Sequence, residues 1–233
     1  MLIASCYGAR VEASQVQDPW QLFESWYAEA RAAELPLPEA LMLATVGDGR
    51  PSARIVLYKG RSGSGLRFFT NYESRKAREL VQTSFAAAVF HWAALGRQVR
   101  IEGQVEKLSG QESDEYFASR PRESQLAAWA SQQSAVLTSR QALQSELSRV
   151  RERFGQGPVS RPPNWGGYRL TPENFEFWSA SEHRLNERWL FTRLETGWRR
   201  SLLAPCLREP STRSLDRRST PTPGPTLTRN ATR

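Results

Sequence analysis

The sequence predicts an α+β fold in which antiparallel strands form a barrel or sandwich with helices at the periphery. Two observations carry that expectation. Five strand-length apolar runs follow one another between residues 40 and 108, each bounded by turn residues. No helical stretch between them is long enough for the crossovers that a parallel sheet needs.

Residues 1–17 show no clear period and are expected to form a loose arm. Asp18-Pro19 then supplies an N-cap and a proline at the first helical position. Trp20, Phe23, Trp26, Tyr27 and Ala30 recur at helical spacing, so residues 19–33 read as an amphipathic helix. Ala40–Val46 is a short strand, turned by Gly47-Asp48-Gly49.

The stretch from Pro51 to Leu80 organises the chain. Ala53–Lys59 and Leu66–Thr70 flank the glycine-rich segment 60–65 and read as a hairpin. Ser74 is the expected N-cap of a helix from Arg75 to about Val81. Its first turn carries Arg75-Lys76, where the helix dipole favours acids instead. Free N–H groups and two cations make a phosphate seat, to which Arg54 and Lys59 can add; a solvated basic helix end is the other reading.

Ser84–Trp92 is almost continuously apolar and is expected to be covered on both faces. Arg97–Leu108 alternates, with Gly103 marking a bulge. Ser109 opens a helix to Ala118, and Tyr116 and Arg120 share one face of it until Pro121 interrupts. With the Ser124 hydroxyl they can grip a phosphate, or simply tie a helix corner. Ser139–Phe154 is amphipathic, with Leu143, Leu147, Val150 and Phe154 as the inward stripe and Gly155 as the stop. A linker (158–163) leads to strands at Gly167–Leu170, Phe175–Ser179, Trp189–Arg193 and Trp198–Leu203. Between them lies Ser181–Arg188, whose arginines are costly to bury without an anionic or π-rich partner.

The formal net charge is +8 with a pI of about 10.1, but residues 206–233 alone carry six arginines against Glu209 and Asp216. Half the excess therefore sits in a Pro/Thr/Ser/Arg-rich tail expected to be disordered. With no nucleic-acid motif elsewhere, a nucleic-acid partner is not expected. No apolar run is long enough to span a membrane. Cys6 and Cys206 form no CxxC and no metal-ligand spacing, which suits a reducing cytoplasm. The box Leu2–Cys6 lacks a charged and an apolar region before it, so it is not read as a lipoprotein signal.

Taken in order, PSARIVLYKG, FFTNYESRKA, RQVRIEG, YFASRPRESQLAAWAS-QQS, WGGYRL and FEFW-SASEHRLNER resemble the pyridoxine/pyridoxamine 5′-phosphate oxidases over roughly residues 18–205. The resemblance implies a split barrel and a homodimer with two flavin mononucleotides (FMN) at the interface. It also implies oxidation of vitamin B6 phosphates by dioxygen to pyridoxal 5′-phosphate and peroxide. It implies cofactor contacts from Arg54, Ile55, Val56, Lys59, Phe69, Thr70, Arg75, Lys76, Gln98, Gln133, Ser134, Trp178 and Arg188. The substrate phosphate would fall to Lys59, Tyr116, Arg120 and Ser124, with Arg184 and Asn186 at the reacting end.

Three departures stand out. The family's R-L-H-D-R reads Arg184-Leu185-Asn186-Glu187-Arg188 here, so a titratable imidazole is replaced by an amide. The arm that carries an arginine and a tyrosine is not recognisable, with Ala4 standing three residues before Tyr7. The chain also continues past Pro205, where the family stops. Asn186 keeps two further readings open: a related barrel oxidase of the phenazine-biosynthesis type, and a flavin or B6-phosphate binder with weakened activity.

Overall fold

The computed structural model describes residues 13–205. The expectations for Cys6, Tyr7 and the tail from Cys206 lie outside them.

Helix α1 (Pro19–Ala32) starts where expected: the Asp18 carboxylate accepts from Trp20 N–H and proline occupies the first turn. Its apolar face buries Trp20, Leu22, Phe23, Trp26 and Ala30. Those rings meet the sheet edge-on, Trp20 at 5.1 Å from Phe175, Phe23 at 5.1 Å from Phe90 and Trp26 at 5.3 Å from Phe177. Each such ring contributes about 1.5–3 kcal/mol of burial, so α1 is the plug of the core and not a ligand box.

Strands β1 (Ala40–Gly47) and β2 (Arg50–Leu57) pair in register across Asp48-Gly49. Both turn residues have positive φ, 52° and 71°, the twist that a two-residue hairpin loop demands. The expected hairpin between β2 and β4 (Gly65–Asn71) is only partly present. A two-residue strand, β3 (Arg61–Ser62), pairs β4 instead. The chain leaving β2 meets β4 through Lys59 N–H to Arg67 O (2.8 Å), Arg67 N–H to Gly60 O (2.9 Å) and the Arg67 side chain to Lys59 O (3.2 Å). The sheet thus closes at one end and parts at the other.

After α2 (Arg75–Gln82) comes β5 (Phe85–Trp92). It was expected to be covered on both faces, yet only Ala86, Ala88, Phe90 and Trp92 are buried. Its other face is half-open. Next is β6 (Arg97–Lys107), followed by helices α3 (Gly110–Ala118), α4 (Arg122–Ala130) and α5 (Arg140–Phe154). A full capping box, Ser109 with Glu112, starts α3. In α5 only Val150 of the expected stripe is buried, since this helix packs on α4 outside the sheet.

The two expected strands 167–170 and 175–179 are one: β7 runs from Trp165 to Ser179. Pro172 survives inside it because the register slips opposite, between Glu102 and Gly103. A Cβ at Gly103 would stand 2.0 Å from Thr171 O, so the close approach requires glycine. At this point β7 also changes neighbours, pairing β4 through Leu170 and β8 (Glu187–Arg193) from Asn174 onward. β9 (Trp198–Leu202) finishes the sheet against β8. The order β2-β1-β5-β6-β7-β4-β3, with β8 and β9 branching from β7, is antiparallel throughout and forks where a barrel would close. A second, smaller core (Phe117, Leu126, Val150, Val159, Trp165) lies beneath α3, α4 and α5.

Candidate active site

The parting between β2 and β4 opens a cavity of about 450 Å³, floored by α2 and walled by α3 and the chain after α4. Its lining includes Arg54, Ile55, Val56 and Lys59 from the β2 side, and Phe69 and Thr70 from β4. Lys76, Tyr116, Arg120, Gln133 and Trp165 complete the functional surface, and no carboxylate is among the lining residues. Ten of the positions picked out from sequence thus meet here.

Lys76 is the most telling. Only 8% exposed, it donates from Nζ to Thr70 Oγ1 (2.9 Å), Ser74 Oγ (3.3 Å) and Gln133 Oε1 (2.8 Å). All three acceptors are neutral. Burial first, and then the nearby Arg54 charge, lower its pKa to about 8, with Glu79 pulling weakly the other way. Such an ammonium is underpaid in charge and favours an incoming anion.

Arg120 repeats the pattern. Its guanidinium lies 4.6 Å from the Trp165 ring centroid, and its buried Nη1 has no hydrogen-bond partner. Burial lowers its pKa, and Tyr116 partly opposes this. Tyr116 stacks on Phe69 at 3.8 Å, and Trp165 continues the stack at 5.6 Å from Phe69. Cations and flat aromatic faces therefore share one wall, a surface suited to a planar anionic ligand.

One premise about Arg75-Lys76, that no acid stands near the pair, is amended by Glu79. Ser74 does cap α2, accepting from Ala77 N–H at 3.4 Å. Arg75, however, reaches one helical turn onward to Glu79 (2.8 Å), and its backbone N–H donates to the Ser134 hydroxyl at 3.2 Å. Arg54 also reaches Glu79, at 3.0 Å, and bonds Thr45 and Ser52. The carboxylate missing from the first turn lies in the second. Sequence reasoning passed over Glu79, although its place four residues after Arg75 was the available signal.

The remaining predicted residues lie elsewhere. Gln98, Trp178 and Arg188 are register neighbours on β6, β7 and β8 and form one lateral row. Trp178 and Glu176 share the face of β7 opposite the core residues Phe175 and Phe177. Arg188 ion-pairs there with Glu176 at 2.7 Å, as does Arg100, also at 2.7 Å. Ser124 sits in the first turn of α4 and does not line the cavity. Arg184 closes a 3-10 turn, Glu182–Arg184, in which His183 has φ 57°. Asn186 Oδ1 accepts from Ser181 N–H at 3.2 Å, fastening the ends of that segment together. Among the described residues no helix is long and apolar enough to cross a membrane, and no metal-binding cluster is found.

Residues 27–154 match the family model described as pyridoxamine 5′-phosphate oxidase. Residues 165–205 match the pyridoxine 5′-phosphate oxidase C-terminal dimerisation region. The chain is 54% identical over 198 residues to a pyridoxine/pyridoxamine 5′-phosphate oxidase of Burkholderia orbicola, covering 83% of this chain and 92% of that one. The corresponding protein of Burkholderia multivorans is 52% identical over the same length. Among solved structures, PhzG from Burkholderia lata, in complex with tetrahydrophenazine-1-carboxylic acid, superposes with a TM-score of 0.78 at 34% identity. That match covers 82% of this chain and 94% of PhzG. A pyridoxamine 5′-phosphate oxidase-related, FMN binding protein from Nostoc punctiforme shares the fold, with a TM-score of 0.66 at 20% identity over 82% of this chain and all of its own.

Proposed function

Because the chain belongs to the pyridoxamine 5′-phosphate oxidase family, we propose that it binds FMN and oxidises pyridoxine or pyridoxamine 5′-phosphate to pyridoxal 5′-phosphate. The observation that carries this reading is the cavity itself: Lys59, Lys76 and Arg120 line it beside a stacked aromatic wall, with no carboxylate to neutralise them.

The donor set fits a phosphorylated isoalloxazine. Lys76, held by Thr70 and Gln133, takes the cofactor phosphate together with Arg54, Arg75 and the Ser134 hydroxyl. Ile55, Val56 and Phe69 offer apolar surface for the ring. Lys59, Tyr116 and Arg120, joined by Ser124 from the first turn of α4 outside the lining, take the substrate phosphate and set its distance from the ring. FMN, when bound, would supply a two-electron acceptor for the hydride of the substrate's C4′, and dioxygen would take up those electrons, with the protons, as hydrogen peroxide. Arg184 and Asn186 orient the substrate, Asn186 through an amide that carries no titratable proton.

The row Gln98–Trp178–Arg188 acts on the cofactor of a second copy. Trp165 borders the cavity, whereas Trp178 lies further along the same strand, roughly 40 Å of chain away at about 3.3 Å per residue. A homodimer related by a two-fold axis brings each row to the other copy's cavity, in keeping with the match of residues 165–205 to a dimerisation region.

Asn186 and the likeness to PhzG favour a second reading, oxidation of a phenazine precursor on the same barrel. Peroxide release from the FMN-loaded protein decides between them. The first reading expects turnover of pyridoxine or pyridoxamine 5′-phosphate, and a faster rate in Asn186→His. Inactivity toward both B6 phosphates, with turnover of a reduced phenazine carboxylate, would establish the second. Failure to bind FMN at all would dismiss both.

A further inference from the structure

Four hydrogen-bonding side chains converge on Glu79, a carboxylate only 6% exposed. Thr45 donates at 2.5 Å from β1, Ser52 at 2.7 Å from β2, Arg54 at 3.0 Å from β2 and Arg75 at 2.8 Å from α2 itself. Gly47 is pressed against the same side chain, because a Cβ there would come within 2.7 Å of Glu79 Cγ. A carboxylate that joins two strands and a helix fixes their mutual placement. Its two cationic partners are also residues assigned above to the cofactor phosphate, whereas Lys76 between them has only neutral acceptors.

From this geometry we infer that Glu79 is a positioning residue for cofactor selectivity: it aims Arg54 and Arg75 so that the site distinguishes a phosphorylated flavin from an unphosphorylated one. The inference rests on the FMN reading of the cavity and deepens it. Glu79 is not among the residues that line the cavity. Arg75 meets Glu79 through Nε and keeps its two terminal nitrogens for an anion, whereas Arg54 spends Nη1 on Leu43 O and Thr45 and Nη2 on Ser52 and Glu79, which fixes the direction of its charge. Without Glu79 the two guanidiniums repel each other and Lys76, and long side chains released in that way turn to solvent. The phosphate then meets a site that must be ordered at the moment of binding, which weakens affinity.

The test is equilibrium titration of the apoprotein with FMN and, separately, with riboflavin, followed by quenching of flavin fluorescence. Wild type is expected to favour FMN strongly. Glu79→Gln keeps the shape and removes the charge; it should weaken FMN binding about ten-fold and leave riboflavin within about two-fold. A merely structural role would weaken both flavins together. Thr45→Val removes, without charge change, both a donor to Glu79 and the hydroxyl that accepts from Arg54, and should cost FMN about three-fold with riboflavin unmoved. Gly47→Ala, which presses chiefly on Glu79, should shift the FMN-to-riboflavin ratio the same way, and together the two decide the matter if Glu79→Gln does not fold. An unchanged FMN-to-riboflavin ratio in a folded variant overturns the inference and leaves the FMN reading standing. A wild-type protein that shows no preference for FMN overturns both.

Discussion

The cavity between β2 and β4 and the outer face of β6, β7 and β8 both gather cations, and they treat them in opposite ways. On the outer face Glu176, 5% exposed, is shared by Arg100 and Arg188, and Glu102 pairs with Arg100 at 3.1 Å, so two cations meet two acids and charge is balanced within the chain. In the cavity Lys76 rests on neutral oxygens and Arg120 keeps a buried donor without a partner. Balanced charges hold a fold together, whereas unbalanced ones hold it ready for something else. The difference tells which cations still lack an anion more sharply than the number of basic residues does; Arg188, proposed above to reach a second copy's cofactor, does so with its charge already paired.

The strongest way to break this contrast is Lys76→Met. Loss of a charge-assisted contact of about 1.5–3 kcal/mol should weaken FMN binding by roughly ten- to a hundred-fold. The apoprotein should melt no lower than wild type, and higher if the unpaired cation costs stability. A lower melting temperature with unchanged FMN affinity would make Lys76 an ordinary core residue. Arg120→Met should behave similarly toward substrate, raising KM about ten-fold or more in steady-state peroxide assays with the melting temperature preserved. On the balanced face the order reverses. Replacing both Arg100 and Arg188 by methionine leaves Glu176 buried and unpaired, and should cost about 1–3 kcal/mol in urea unfolding, much of it restored by adding Glu176→Gln.

Two smaller effects follow from titration. Lys76 is depressed from 10.5 to about 8, so the unfolded chain binds more protons between those values and apoprotein stability gains there as pH rises. FMN affinity should move the other way, falling above about pH 8 as the ammonium is lost, and Lys76→Met should flatten the profile. Glu79 shows the converse behaviour. Burial pushes its pKa up, but donation from Thr45, Ser52, Arg75 and Arg54 outweighs this and takes it from 4.5 to about 2. Its contribution is present above pH 4.5 and is lost as pH falls toward 2. Acid unfolding of Glu79→Gln should accordingly be less steep through that window.

Much of this fold is legible one element at a time. Asp18-Pro19, Asp48-Gly49, Ser74 and Gly103 each announce a local geometry that the chain adopts, because caps, turns and bulges are decided by a few neighbouring residues. Long-range pairing is less visible. Pro172 with Glu173-Asn174 reads as a break, and only the extra residue Glu173, opposite the step from Glu102 to Gly103 on β6, allows β7 to pass through unbroken. Helix α4 is not announced, because Pro121 suggests an ending and the first turn, Arg122-Glu123-Ser124-Gln125, is polar, yet that proline stands at the start. In the site the cations were found by type and order. Which of them already owned a counterion depends on Glu79, whose burial comes from β1, β2 and α2 meeting, and no local pattern encodes that.

The fork in β7 has a consequence for genetics. If each cavity is completed by its neighbour's row, lesions in the two regions belong to different sites once the chains are mixed. A pairing of one Lys76→Met chain with one Arg188→Met chain would put both faults in the same place and leave the opposite place whole. Co-expression of two inactive alleles would then restore oxidation, whereas neither allele alone would recover it.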